Sequence, residues 1–101
     1  MMKKLIKLTN NPIFQMFIGD KAFRVYKKEV DGRLGMPGLS KLVVKATGSE
    51  LKEKEAYVFA IRNQNAIKIL TRDHRSTSMV EVYDEKAKGI KDECIAFGLL
   101  T

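Results

Sequence analysis

Apolar positions along the chain switch between two rhythms, and each switch marks an element. In residues 21–28, KAFRVYKK, Phe23 and Val25 fall on one side and Arg24 and Tyr26 on the other, the alternation of a half-buried strand. Just before it, Ile13 to Ile18 (IFQMFI) is a continuous apolar run between Asn10-Asn11-Pro12 and Gly19-Asp20, which predicts a short strand bounded by turns. The rhythm then lengthens. Leu39, Leu42, Val43 and Ala46 recur at i, i+3, i+4 and i+7, Pro37 stands where a first helical residue needs no N–H, and Gly48 stands where a helix stops. This predicts a helix over about residues 37–46 with Lys41 and Lys45 on its polar face, two like charges that repel slightly unless an anion lies nearby.

After the charged stretch SELKEKE, period two returns. Ala56 to Ile61 (AYVFAI) is apolar on both faces, as in a strand covered on both sides or central in a sheet. Ile67 to Leu70 follows a turn rich in Asn, and Thr77 to Tyr83 alternates with Val80 and Val82 inward and Glu81 outward. These runs predict a three-strand meander over residues 56–83. Residues 85–93, EKAKGIKDE, read as an exposed loop or short helical turn, and CIAFGLL as a last strand or buried tail. Strands around one well-marked helix give an α+β fold: a mostly antiparallel sheet with the principal helix, about 37–46, packed on one face. The expected core contacts of that helix are Phe59, Ile69 and Val80.

Length changes little in this picture: 101 residues make a single domain, 1–101, with one modest core. No apolar run approaches the roughly 20 residues of a membrane helix, and Lys3, Lys4 and Lys7 precede no long apolar stretch, so the expectation is a cytoplasmic protein with no signal peptide and no membrane partner. Charge changes it more. The net charge is +7, and its distribution is uneven: residues 1–49 hold ten basic and three acidic side chains, residues 50–101 nine of each. A surplus of this kind favours polyanionic partners, because cations placed near phosphates release condensed counterions. The plainer reading is a soluble protein that happens to be basic.

Candidate chemistry is sparse. One cysteine excludes an internal disulfide, and Cys94 reads as a small buried hydrophobe; one histidine, His74, reads as an exposed turn residue and leaves too few soft ligands for zinc. Asp20, Glu29, Asp31 and Asp73 are carboxylates of the type a metal-dependent nuclease uses, but no spacing forces them together. The expectation is therefore no catalytic residue, no metal and no cofactor. DGRLGMPG lacks a nucleotide-binding fingerprint. It reads as a tight turn feeding a helix, where Arg33 and free N–H groups could hold a phosphate, or where Asp31 and Arg33 could bridge the turn. Arg62, Lys68, Arg72 and Arg75, with Tyr57 and Tyr83 on neighbouring strands, could form a basic wing, although alternate strand residues need not share a face.

The order VDGRLGMPGLSKLV, YVFAIRNQNAIKIL, RD and EKAKG resembles the TnpB accessory proteins, the second open reading frame of the insertion-sequence class numbered sixty-six. The matching positions are Asp31, Arg33 and Gly35 of an Asp-x-Arg-x-Gly turn followed by Gly38 and Leu39; Tyr57, Val58, Phe59 and Arg62; and Ile67, Lys68, Ile69 and Leu70. The likeness spans roughly residues 24–91. It departs where the family has Trp-Asp and this chain has Arg72-Asp73, and the Lys-Arg-Leu-Glu-x-Gly segment is reduced to Glu85 through Gly89. The resemblance implies a non-catalytic accessory factor encoded beside a transposase, acting on DNA or on the transposase.

The expectation is thus a small accessory protein that binds nucleic acid through Arg33, Lys41 and Lys45 around the helix start and Arg62, Lys68, Arg72 and Arg75 at the hairpin. The alternative is a protein-interaction module, dimeric through an apolar strand such as Ile13–Ile18, whose charge only aids solubility or steering.

Overall fold

A computed structural model describes residues 18–64, 66–74 and 76–83. The elements run β1 (Ala22–Val25), α1 (Met36–Thr47), β2 (Glu55–Ala60), β3 (Ala66–Asp73) and β4 (Ser76–Tyr83), and the strands form one sheet in the order β1-β2-β3-β4. β2, β3 and β4 are the antiparallel meander, with Val58 opposite Ile69 and Ile69 opposite Val80. β1 instead pairs parallel to β2, Val25 beside Val58. A parallel neighbour cannot be reached by a tight turn, and residues 26–54, carrying α1, make the crossover. The fold is α+β with a mixed, mostly antiparallel sheet.

α1 exceeds its expected span by one residue at each end. Pro37 lies in its first turn, and Gly48 closes it in the left-handed conformation (φ 78°), its N–H bonded to the Val44 carbonyl at 2.7 Å. Leu39 and Val43 are fully buried, Leu42 and Ala46 partly so, and Lys41 and Lys45 are exposed.

Side-chain alternation divides the apolar residues into two clusters. On the helix face Leu39 and Val43 pack with Val30, Leu51, Tyr57, Phe59, Ile61 and Leu70, and the Tyr26 and Phe59 rings meet at 5.5 Å between centroids. The other face holds Ile18, Val25, Val58, Ile67, Ile69 and Val82, with Phe23 and Val80 against them. The helix therefore meets Phe59 but not Ile69 or Val80. Phe59 stands opposite Lys68 in the register, so Ile69 and its partner Val80 point to the opposite side. β2 is buried on both faces, as its continuous apolar run requires.

The run Ile13–Ile18 lies outside the described residues except for Ile18, which is helical rather than extended; Gly19 (φ 57°) turns the chain there, and the Lys21 N–H returns to the Ile18 carbonyl. Arg75, the 85–93 segment and the Cys94 tail also lie outside them.

The charged connection before β2 is fixed by a residue that alternation marks only as apolar. The buried Tyr57 hydroxyl accepts the Lys52 N–H at 2.9 Å and donates to Glu55 Oε2 at 2.8 Å. Burial pushes the Glu55 carboxyl up, but Tyr57 and the Arg24 guanidinium, 3.0 Å away, outweigh it and leave it below its ordinary value. Replacing Tyr57 with Phe removes both hydrogen bonds, and the expected loss is about 1–2 kcal/mol, read as a lower denaturation midpoint with an unchanged slope.

Candidate functional site

The site starts from a second contact between the first segment and β2. Beyond β1 the chain leaves the sheet at Lys27-Lys28, then Val30 returns as an isolated parallel bridge to Ile61, its N–H on the Ala60 carbonyl at 2.9 Å and its carbonyl accepting the Arg62 N–H at 2.8 Å. That bridge sets the turn Asp31-Gly32-Arg33 against the β2–β3 turn Arg62-Asn63-Gln64. Both turns have the chemistry their shapes require. Asn63 takes the left-handed conformation (φ 64°), which Asn tolerates. Gly32 lies so close to the sheet that a Cβ there would sit 2.9 Å from Ile61 Cγ2 and 3.5 Å from Gln64 Nε2.

Between the turns lies a polar cleft of about 370 Å³ lined by Asp31, Gly32, Arg33, Arg62, Asn63 and Gln64. Asp31 Oδ1 accepts the Arg33 backbone N–H at 2.9 Å, and its carboxylate takes the guanidinium at Nε (3.1 Å) and Nη2 (2.8 Å). The Arg33 side chain is 91% exposed, and among the described residues its fork is held by Asp31 alone. These bonds hold the Asp31 carboxyl far below its ordinary value, with the Arg33 side chain the largest cause and the Arg62 charge a smaller one; the same pairing raises Arg33. The Asp31–Arg33 bridge, one of the two readings of this turn, is formed. Arg62 is exposed, and its guanidinium makes no hydrogen bond or ion pair among the described residues. Asp31 offsets one of the two guanidinium charges, so the cleft keeps a single positive excess.

Lys68 has a different place. It is 5% exposed, and its ammonium donates to the Gly32 carbonyl at 2.6 Å and the Leu34 carbonyl at 2.8 Å. The charge is spent beneath the turn, on the two carbonyls either side of Arg33. The remaining expected site residues scatter. Lys41 and Lys45 lie on the outer face of α1, away from the cleft rather than around the helix start. Arg72 is at the opposite end of the sheet, donating to Thr77 Oγ1 at 3.2 Å, while Arg75 lies outside the described residues.

The carboxylates are also separated. Asp73, beside Arg72, accepts the Lys21 ammonium at 2.7 Å at the end of the sheet away from Asp31, and His74 is an exposed left-handed turn residue (φ 49°). No group of three metal-ligating side chains converges among the described residues, and no described helix is long and apolar enough to cross a membrane. Lys27 and Lys28 escaped the sequence reading: they continue an alternating run, and the structure leaves both exposed between β1 and the Val30–Ile61 bridge.

A family model described as IS66 Orf2 like protein matches residues 21–83, more than half of the chain and the whole of the described sheet and helix. No curated protein and no solved structure matches at a significant level.

Proposed function

The chain belongs to the IS66 Orf2-like family and is a transposable-element accessory protein, and from that premise we propose that it assists transposition by binding the DNA backbone, without a reaction of its own. The supporting observation is the convergence of cations that are distant in sequence. Arg33, from the basic first half, meets Arg62, from the hairpin turn, across one exposed cleft. Guanidinium groups suit phosphate oxygens because their planar fork donates two parallel hydrogen bonds. Asn63 and Gln64 add neutral amides that can hydrogen-bond to phosphate or sugar.

In this reading Arg33 and Arg62 carry the contact and Lys68 holds the turn from below. Fluorescence anisotropy with a labelled duplex of about 20 base pairs, measured at rising salt, tests it. Affinity is expected to fall linearly on logarithmic axes, and Arg33→Ala and Arg62→Ala each to flatten the slope by about one. A slope untouched in the double variant, or no salt-sensitive binding at all, refutes the assignment.

A further inference from the structure

The outer face of α1 carries a surface that the cleft does not use. Leu39, Leu42, Val43 and Ala46 face the core, and Val44, at 100° per residue, points nearly away from them. It is nevertheless apolar and 36% exposed. A β-branched residue there lowers helix propensity and adds little to the core. Lys41 and Lys45 flank it, one turn apart, and neither pairs with an acid among the described residues. With Ser40 and Glu50 these residues line a shallow groove of about 380 Å³.

We infer that this groove docks a protein partner through an acidic amphipathic helix, with one apolar side chain against Val44 and carboxylates on Lys41 and Lys45. The two lysines are four residues apart, which is the spacing that carboxylates one turn apart on a partner helix would match. The apolar floor distinguishes this face from the cleft beside Arg62, whose lining is polar. Glu50 offsets one of the two lysine charges, so the groove keeps a single positive excess beside its apolar floor. Apolar anchor and charged rim together are the composition of a helix-in-groove contact.

The experiment is a selection of displayed helical peptides against the intact protein, followed by titration of the selected peptides into isotope-labelled protein by NMR. The selected sequences are expected to carry an apolar residue flanked by acids, and to shift amides of residues 36–50. Val44→Asp and the double variant Lys41→Glu/Lys45→Glu should each weaken them about tenfold or more, whereas Arg33→Ala should leave them unchanged. Lys41→Glu alone creates an i, i+4 Glu–Lys pair with Lys45, so the helix gains a favourable pair while losing the contact. Peptides without the acidic–apolar pattern, an empty selection, or DNA that shifts residues 36–50 in place of peptide would each overturn the inference. Because Arg33→Ala separates the two surfaces, failure here leaves DNA binding at the cleft to stand or fall by its own salt slope.

Discussion

Lys68→Met is expected to destabilise the protein by about 2 kcal/mol and to weaken the proposed DNA binding although the Lys68 ammonium is buried beneath the turn. Two charge-assisted hydrogen bonds, 2.6 Å and 2.8 Å long, disappear with the ammonium, and each such bond is worth roughly 1.5–3 kcal/mol. Opposing this, methionine relieves the cost of burying an ammonium that has no carboxylate partner. The first effect prevails because the Gly32 and Leu34 carbonyls lose their donor while methionine keeps a stem of similar length in the buried site. A loss of that size lowers the melting temperature of a domain this size by about 10 °C. The binding loss follows from position: both carbonyls flank Arg33, and without the clasp the turn no longer holds the guanidinium opposite Arg62. The readout that separates this from simple destabilisation is the salt slope at a temperature where the variant remains folded. It is expected to fall toward that of Arg33→Ala, whereas an unchanged slope would mean that Lys68 supports the fold alone.

Asp31→Asn is expected to tighten DNA binding several-fold at low salt and to steepen the salt dependence by about one. Asparagine keeps an oxygen to accept the Arg33 N–H, now held at 2.9 Å, but carries no charge to occupy the guanidinium. Under the proposed DNA contact, a phosphate would compete with the Asp31 carboxylate for the Arg33 guanidinium. If Asp31 instead orients Arg33 productively, the substitution weakens binding, and anisotropy distinguishes the two by sign. Acid does not imitate the substitution. A carboxyl whose folded value is depressed contributes its interaction above its unfolded value and loses it only as pH falls through the folded one. The Asp31 value is held well below its ordinary 3.8, first by the Arg33 side chain. The bridge therefore persists as pH falls through 3.8, and the NMR carboxyl signal of Asp31 should not titrate there.

The elements were legible in the chain because each carries a local signal. Leu39, Leu42, Val43 and Ala46 announced α1, Pro37 and Gly48 its ends, and the doubly apolar Ala56–Ile61 run its central strand. Which residues share a face was less legible, because parity depends on register. Shifting attention by one residue exchanges Lys68 for Ile69, and the expected helix contacts Ile69 and Val80 fell on the wrong side for that reason. Lys68 read as one of the nucleic-acid-binding cations of the hairpin; nothing local reveals that Gly32 and Leu34, more than thirty residues earlier, cover it. Likewise the cleft depends on one isolated bridge, Val30 to Ile61, and on a glycine at 32 that permits close approach. A charge count could place the surplus in the first half. It could not show that Lys41 and Lys45 turn away from Arg33, or that Arg72 lies at the far end of the sheet.

The parallel placement of β1 also sets an order of events during synthesis. β2, β3 and β4 are joined by tight turns and can zip together as soon as they emerge, but β1 ends at Val25 and its partner begins at Glu55. The first strand of the described sheet leaves the ribosome early and is sheltered late. During that interval Phe23 and Val25 are bare, and a short apolar strand with no partner is an invitation to pair with another chain. Arg24 interrupts the run and Lys27 and Lys28 follow it at once, so the segment carries its own charged gatekeepers. The two exposed lysines that follow β1 in the finished fold thus serve first as guards of a strand still waiting for its place.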